Sequence, residues 1–189
     1  MTRFVGIDPA TKTGFVALDI DGNVLVQTEL KGKGSKVPGG ISTKELVSLE
    51  NQLFQLLQSG DEIAIEQPAM GTQMGVTTGM IHGGLRSMIY RKNLTHNDVN
   101  PGWTKKYVGV TGWTGEPGSK RRLKDKEKKK AIGDAVKAMS GYTHKSDNVV
   151  DAYIIARIAL NLYRMREYMP LLDNEPYQIE VIESILNKA

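Results

Sequence analysis

The chain has no cysteine. Disulfides and zinc–thiolate sites are therefore excluded, and the composition suits a reducing cytoplasm. No apolar run is long enough to span a bilayer. Met1-Thr2-Arg3-Phe4-Val5 leads straight into strand-like sequence without the pattern of a secretory signal. A cytoplasmic protein with no membrane partner is expected. Histidine is scarce: His82, His96 and His144 are scattered and form no ligand spacing. Internal repeats and interdomain linkers are also missing. At 189 residues with 40% hydrophobic content, the chain suits one domain with a real core.

What is present is a set of carboxylates in unusual places. Val5-Gly6-Ile7-Asp8-Pro9-Ala10 is an apolar run that ends in an acid, and Ile63-Ala64-Ile65-Glu66-Gln67-Pro68 has the same design. Ser146-Asp147-Asn148-Val149-Val150-Asp151-Ala152-Tyr153 opens an apolar helix. A carboxylate at the end of a buried strand is costly unless a cation or donor compensates it. Hard ions such as Mg²⁺ take oxygen ligands, and two of them about 3.5–4 Å apart form a site type that hydrolyses phosphodiesters. Each segment also has an ordinary reading. Asp8 before Pro9 suits a turn, Glu66 could mark a strand reaching solvent, and Asp147 is a good helix N-cap. Asp151 is harder to explain so, because it lies one turn beyond Asp147 on the same helix face and leads into a buried stretch.

Charge is unevenly placed. The whole chain is +4, yet residues 118–130 hold eight basic and two acidic side chains, leaving 17 basic against 19 acidic elsewhere. A near-neutral body with one basic strip is the electrostatic footprint of a nucleic-acid contact. A solvated helix face is the ordinary alternative. The strip supplies the candidate DNA contacts Lys120, Arg121, Arg122, Lys124, Lys128, Lys129 and Lys130.

The pattern of elements is α/β. Three strands are expected over residues 3–30, with a hairpin at Asp21-Gly22. A helix begins at Ser42 with Glu45 three residues on, a capping-box pattern, and Asp61 to Glu66 reads as a buried strand. Residues 69–78 show no clear period. A helix is expected over 79–91, where Gly83-Gly84 implies close approach of another backbone, within the fold or across a dimer. A short strand near Asp98, one helical turn over Thr104–Val108, a glycine-rich loop over 109–119, a helix ending at Ser140-Gly141, a helix from Asp147 to about Met165 and a tail helix over 174–187 complete the reading.

These parts, in this order, resemble the RuvC-type Holliday-junction resolvases of the ribonuclease H-like superfamily, in the compact form of phage and bacterial members. The residues that carry the resemblance are Gly6-Ile7-Asp8-Pro9 with Thr13-Gly14, Ile65-Glu66-Gln67-Pro68, the lysine pair after Trp103, the lysine-rich helix start, and Asp151-Ala152-Tyr153 with Ala156. The resemblance implies a single-domain mixed sheet flanked by helices, with residues 1–170 as the nuclease domain and 171–189 as a C-terminal helical extension. It implies that Asp8, Glu66 and Asp151 bind two Mg²⁺ ions, with Mn²⁺ as the alternative. The fourth metal position is Asp147 or Asn148, and Asp147 is favoured because a carboxylate binds Mg²⁺. Lys105 or Lys106 matches the basic residue that supports the phosphate. The helix over 79–91 would form a homodimer through Gly79, Gly83 and Gly84 with Met80, Ile81, Leu85 and Met88, although its apolar face could equally pack on its own sheet. Members carry an aromatic wedge just after the Glu-Gln step; here Met70 is the candidate. The implied activity is metal-dependent cleavage of Holliday junctions and other branched DNA. The alternatives are a nuclease of the same fold acting on RNA–DNA hybrid, an actin/Hsp70-like protein sharing the Gly-Ile-Asp start, and a binding module without activity.

Overall fold

The computed structural model describes residues 1–188 apart from 36, 39, 69–74 and 117. Met70, the candidate wedge, lies outside the described residues. A five-stranded sheet is built from β1 (Arg3–Asp8), β2 (Lys12–Leu18), β3 (Val24–Lys31), β4 (Asp61–Glu66) and β5 (His96–Val99), in the order β3-β2-β1-β4-β5. The first three strands form an antiparallel meander, while β4 and β5 run parallel to β1 and its neighbour. The expected hairpin joins β2 to β3, with the Asp19 carboxylate accepting from the backbone N–H groups of Asp21 and Asn23.

Side chains alternate across the sheet. Val5, Ile7, Ile63 and Ile65 face the helices α1 (Thr43–Leu56) and α2 (Gly75–Arg91). Phe4, Val16, Leu18 and Ala64 face the helix α5 (Asp147–Arg166). The Ser42–Glu45 capping box opens α1 as expected. α5 is buried along most of its length, with α3 (Pro101–Tyr107), α4 (Asp125–Ser140) and α6 (Pro176–Leu186) around it. Val181, Ile182 and Ile185 of α6 join the core that α5 organises.

Several elements differ from expectation. α2 starts at Gly75, where Thr77 is buried. α3 is nearly two turns long and starts at Pro101, because Pro fits the first helical position and the Asn100 side chain caps the Gly102 N–H. The stretch expected as loop contains β6 (Trp113–Thr114), paired with β7 (Arg121–Arg122). Ser146, rather than Asp147, occupies the N-cap of α5, and Asp147 is the first helical residue.

The expectation for α2 needs a larger correction. Ile81, Leu85 and Met88 are buried in the protomer's own core. A side chain at Gly84 would meet Glu50 and Leu46 of α1, so that glycine serves packing within the chain. Gly79 and Gly83 instead face open space, beside the exposed Val76, Met80 and Tyr90.

Candidate metal and nucleic-acid site

The site begins with two glycines. A Cβ at Gly6 would collide with the Ala152 carbonyl and the Ala156 backbone, and a Cβ at Gly14 would collide with the Asn148 carbonyl. Gly14 pairs directly with Asp8 across the β1–β2 ladder. These bare positions let the first turns of α5 lie against the sheet backbone beside the end of β1. Small Ala152 and Ala156 on α5 complete the fit. Thr13, fully buried, closes the intervening turn by donating to the Ala10 carbonyl at 2.7 Å.

Strand register then gathers the acids. Ile7 pairs with Ile65, so Asp8 and Glu66 follow at neighbouring strand ends. Both continue the face that carries Phe4 and Ala64, toward α5. Asp151 comes down from α5 into the same space. Asp8 is 8% exposed. Burial first, then the charges of Glu66 and Asp151 and the close Glu66 carboxyl, hold its carboxyl well above the usual range. Burial and the Asp151 charge push Glu66 up to about 7, against the opposing pull of Lys105 and Thr104. Burial pushes Asp151 up to about 6, with Asp147 adding to the rise and Lys105 and Lys129 opposing it.

One buried and two half-buried carboxyls thus crowd one another with little compensation. Thr104 Oγ1 donates to Glu66 Oε1 at 3.4 Å, and Lys105 contributes its field. Among the described residues no three acids are already drawn into an ion-sized cage. The crowding raises each carboxyl, and a cation is what would compensate their charge. All the donors are hard oxygens, the set that suits Mg²⁺ or Mn²⁺ and not a soft metal. The residues present therefore fit a divalent ion.

The two lysines of α3 separate clearly. Lys105 faces the acids, whereas Lys106 pairs with Glu180 of α6 and is committed there. Asp147 sits at the rim, about half exposed, with its Oδ2 2.8 Å from Lys129 Nζ. Asp147 itself lines a cleft of about 470 Å³ with Lys12, Lys129, Lys145 and Asn148, among others.

The basic strip is not one helix face. Lys120, Arg121 and Arg122 lie on or beside the β6–β7 hairpin, Lys124 occupies the N-cap position of α4, and Lys128, Lys129 and Lys130 are on α4. Arg121 forks onto Glu127 at 2.8 Å, Lys130 pairs with Asp134 at 2.6 Å and Lys128 lies 3.7 Å from Asp125. Lys120, Arg122, Lys124 and Lys126 have no ion pair among the described residues. The Arg122 guanidinium also lies 6.0 Å from the exposed Trp113 ring.

Sequence reasoning missed two supports. Thr104 is one. The other is Arg86, whose Nη2 donates to the Glu66 carbonyl at 3.2 Å and to Asp98 Oδ1 at 2.7 Å. Its Nη1 is 2.9 Å from His82 Nδ1, which must be unprotonated to accept. Burial and the Arg86 charge lower His82 to about 4, consistent with that neutral state. The available signal was His82 and Arg86 at i, i+4 on an otherwise apolar helix.

Comparison with solved structures bears on the fold. The fold matches Thermus thermophilus RuvC in complex with a Holliday junction substrate, with TM-score 0.62 and 13% identity over 88% of this chain and 96% of that one. It also matches a Thermus thermophilus RuvC structure, with TM-score 0.61 and 15% identity over 87% of this chain and 96% of that one. No family model matches the sequence, and no curated protein matches it significantly. The chain therefore has a RuvC-type, ribonuclease H-like α/β fold. No helix among the described residues is long and apolar enough to cross a membrane.

Proposed function

We propose that this protein is a divalent-metal-dependent endonuclease that hydrolyses phosphodiesters in branched DNA, four-way junctions among them. The observation that carries the reading is the convergence of Asp8, Glu66 and Asp151 in one under-compensated pocket, beside a lysine-lined cleft. Asp8, Glu66 and Asp151, with Asp147 at the rim, are the residues that would hold two Mg²⁺ ions, or Mn²⁺ in their place. When bound, such ions supply an activated water and charge neutralisation at the scissile phosphate.

The chain's own residues do the rest. Lys105, whose field reaches Glu66 and Asp151, sets positive charge beside the acids for an anionic phosphate. Thr104 and Arg86 hold the Glu66 side chain and main chain from two directions. Lys120, Arg122, Lys124 and Lys126 are the bases freest to contact the DNA backbone, with Lys128, Lys129, Lys130 and Arg121 available once their own acids yield. Two cuts of like polarity call for a two-fold dimer, and the outward face of α2, with Val76, Met80, Gly83 and Tyr90, is the surface for it. The likeness to a RuvC bound to a junction favours branched DNA over other nucleic acids.

The test compares a synthetic four-way junction with linear duplex, flap and RNA–DNA hybrid, with and without Mg²⁺. Junction cleavage that requires Mg²⁺ is expected. Preferred cleavage of the hybrid, or cleavage without any divalent ion, overturns the reading.

A further inference from the structure

We infer that the C-terminal segment, Asp173 to Lys188, is a strut that positions α3 so that Lys105 faces the acid pocket. The inference rests on the proposed activity for its functional meaning. Its physical basis is separate.

α3 has only seven residues, and helices so short are marginal without tertiary support. Its orientation therefore has to come from its contacts. Successive residues turn by about 100° around a helix, so α3 presents Thr104 and Lys105 on one side and Trp103, Lys106 and Tyr107 on the other. That second side is held by the C-terminal segment at three residues. Lys188 Nζ lies 4.4 Å from the Trp103 ring centroid. Glu180 takes Lys106. Gln178 Nε2 donates to the Tyr107 carbonyl at 3.1 Å.

The anchor beneath is fully internal. Tyr107 donates its hydroxyl to Asp173 Oδ2 at 2.8 Å and accepts from Asn161 Nδ2 at 2.7 Å. Arg157 forks onto both oxygens of Asp173, and Asn161 donates to Oδ2 at 3.0 Å. Asn161 and Arg157 belong to α5, the helix that carries Asp151. The network thus fixes α3, α5 and the C-terminal segment to one another. It is satisfied throughout, and a satisfied buried polar network specifies one arrangement. Tyr107 is two residues from Lys105, so a small rotation at the anchor displaces the lysine from the acids. None of these strut residues touches the acids; they act through α3.

Two variants remove strut bonds while preserving bulk: Gln178→Met and Tyr107→Phe. Each is expected to lower kcat for junction cleavage about tenfold, in keeping with the cost of small misplacements in an active site, with KM for the junction unchanged. The decisive readout is a cycle with Lys105→Ala. If the strut acts through Lys105, adding Gln178→Met to Lys105→Ala costs less than a further twofold. A full further tenfold loss, or unchanged kcat in singly substituted proteins that melt cooperatively, overturns the strut. If neither variant folds, the surface substitution Glu180→Lys, which sets like charge against Lys106, decides the matter by the same cycle. A wild-type protein that cuts no substrate with Mg²⁺ overturns the functional reading alone. The strut is then judged on ¹³C-methylated Lys105 by NMR, assigned by its loss in Lys105→Arg. A changed Lys105 signal in Gln178→Met, or in Glu180→Lys, supports the strut, and an unchanged one overturns it.

Discussion

Replacing Glu66 by Gln should make the metal-free protein more stable, and only above a definite pH. The Glu66 carboxyl rises from an ordinary value of 4.5 to about 7, through burial and the neighbouring Asp151 charge. A group whose folded pKa is raised contributes stability that is fully present below its unfolded pKa. That stability is lost as pH climbs through the folded value, here over the window from 4.5 to about 7. At about 1.4 kcal/mol per pH unit, the full loss is on the order of 3 kcal/mol. Asp8 and Asp151 titrate with Glu66, so part of the loss is shared, and about 2 kcal/mol is the working expectation for one group. Glutamine keeps the shape, can still accept from Thr104, and carries no charge to desolvate.

Urea unfolding in EDTA at pH 4.5 and pH 8 reads the difference. Glu66→Gln should match wild type at pH 4.5 and exceed it by about 2 kcal/mol at pH 8. His82 works in the opposite direction: its folded pKa of about 4 makes stability fall as pH drops below 6.5. Both proteins share His82, so it cancels from the difference. Saturating Mg²⁺ should then stabilise wild type at pH 8 and leave Glu66→Gln nearly unmoved, because only the former presents three charges to the ion. An equal stability difference at both pH values, or a destabilised Glu66→Gln at pH 8, would refute the reasoning.

The other expectations follow from the same geometry. Asp8→Asn should abolish cleavage while leaving junction affinity in EDTA intact, since the basic strip is untouched; cleavage near the wild-type rate would remove Asp8 from the site. Neutralising Lys120, Arg122 and Lys126 together should lower the slope of log affinity against log salt by about 2 to 3 for every DNA shape. An unchanged slope would make the strip a solvated surface. Gly6→Ala should destabilise by about 3 kcal/mol, the upper end for overpacking, because its Cβ meets α5 backbone that cannot swing away; calorimetric melting checks this. Tyr90→Glu, on the outward face of α2, should give a folded monomer that nicks one strand and no longer makes paired cuts, and sedimentation showing a monomeric wild type on junction DNA would sink the α2 interface.

The sheet and the placement of Asp8 and Glu66 at its strand ends were legible for one reason. Each strand that ends at the site is a short apolar run closed by a carboxylate, and a strand's period of two puts that carboxylate on a definite face. Gly6 and Gly14 could be quoted as motif, but their purpose needed the α5 backbone beside them. The β6–β7 hairpin was invisible because two-residue strands have no period to detect. Helical spacing in α2 revealed an apolar face, yet the same spacing serves a core or an interface. Here Ile81, Leu85 and Met88 went to the core, and Gly83 was left facing out.

Lys105 and Lys106 carry the sharpest form of this limit. They are identical in chemistry and adjacent in sequence, so no local pattern ranks them. A turn of about 100° separates their directions, and what selects the inward one lies some seventy residues away. Glu180 takes Lys106 and Gln178 holds the end of the helix at Tyr107. The side chain that meets the acids is therefore chosen by the C-terminal segment, not by anything near Trp103. The same logic applies to Glu66, whose carbonyl is gripped by Arg86 from α2 while its carboxylate is met by Thr104 from α3. A pocket of mutually repelling acids holds its shape only if the elements around it are fixed independently of the charges. In this fold Gly6 and Gly14 fix α5, Arg86 fixes the end of β4, and Asp173 with α6 fixes α3.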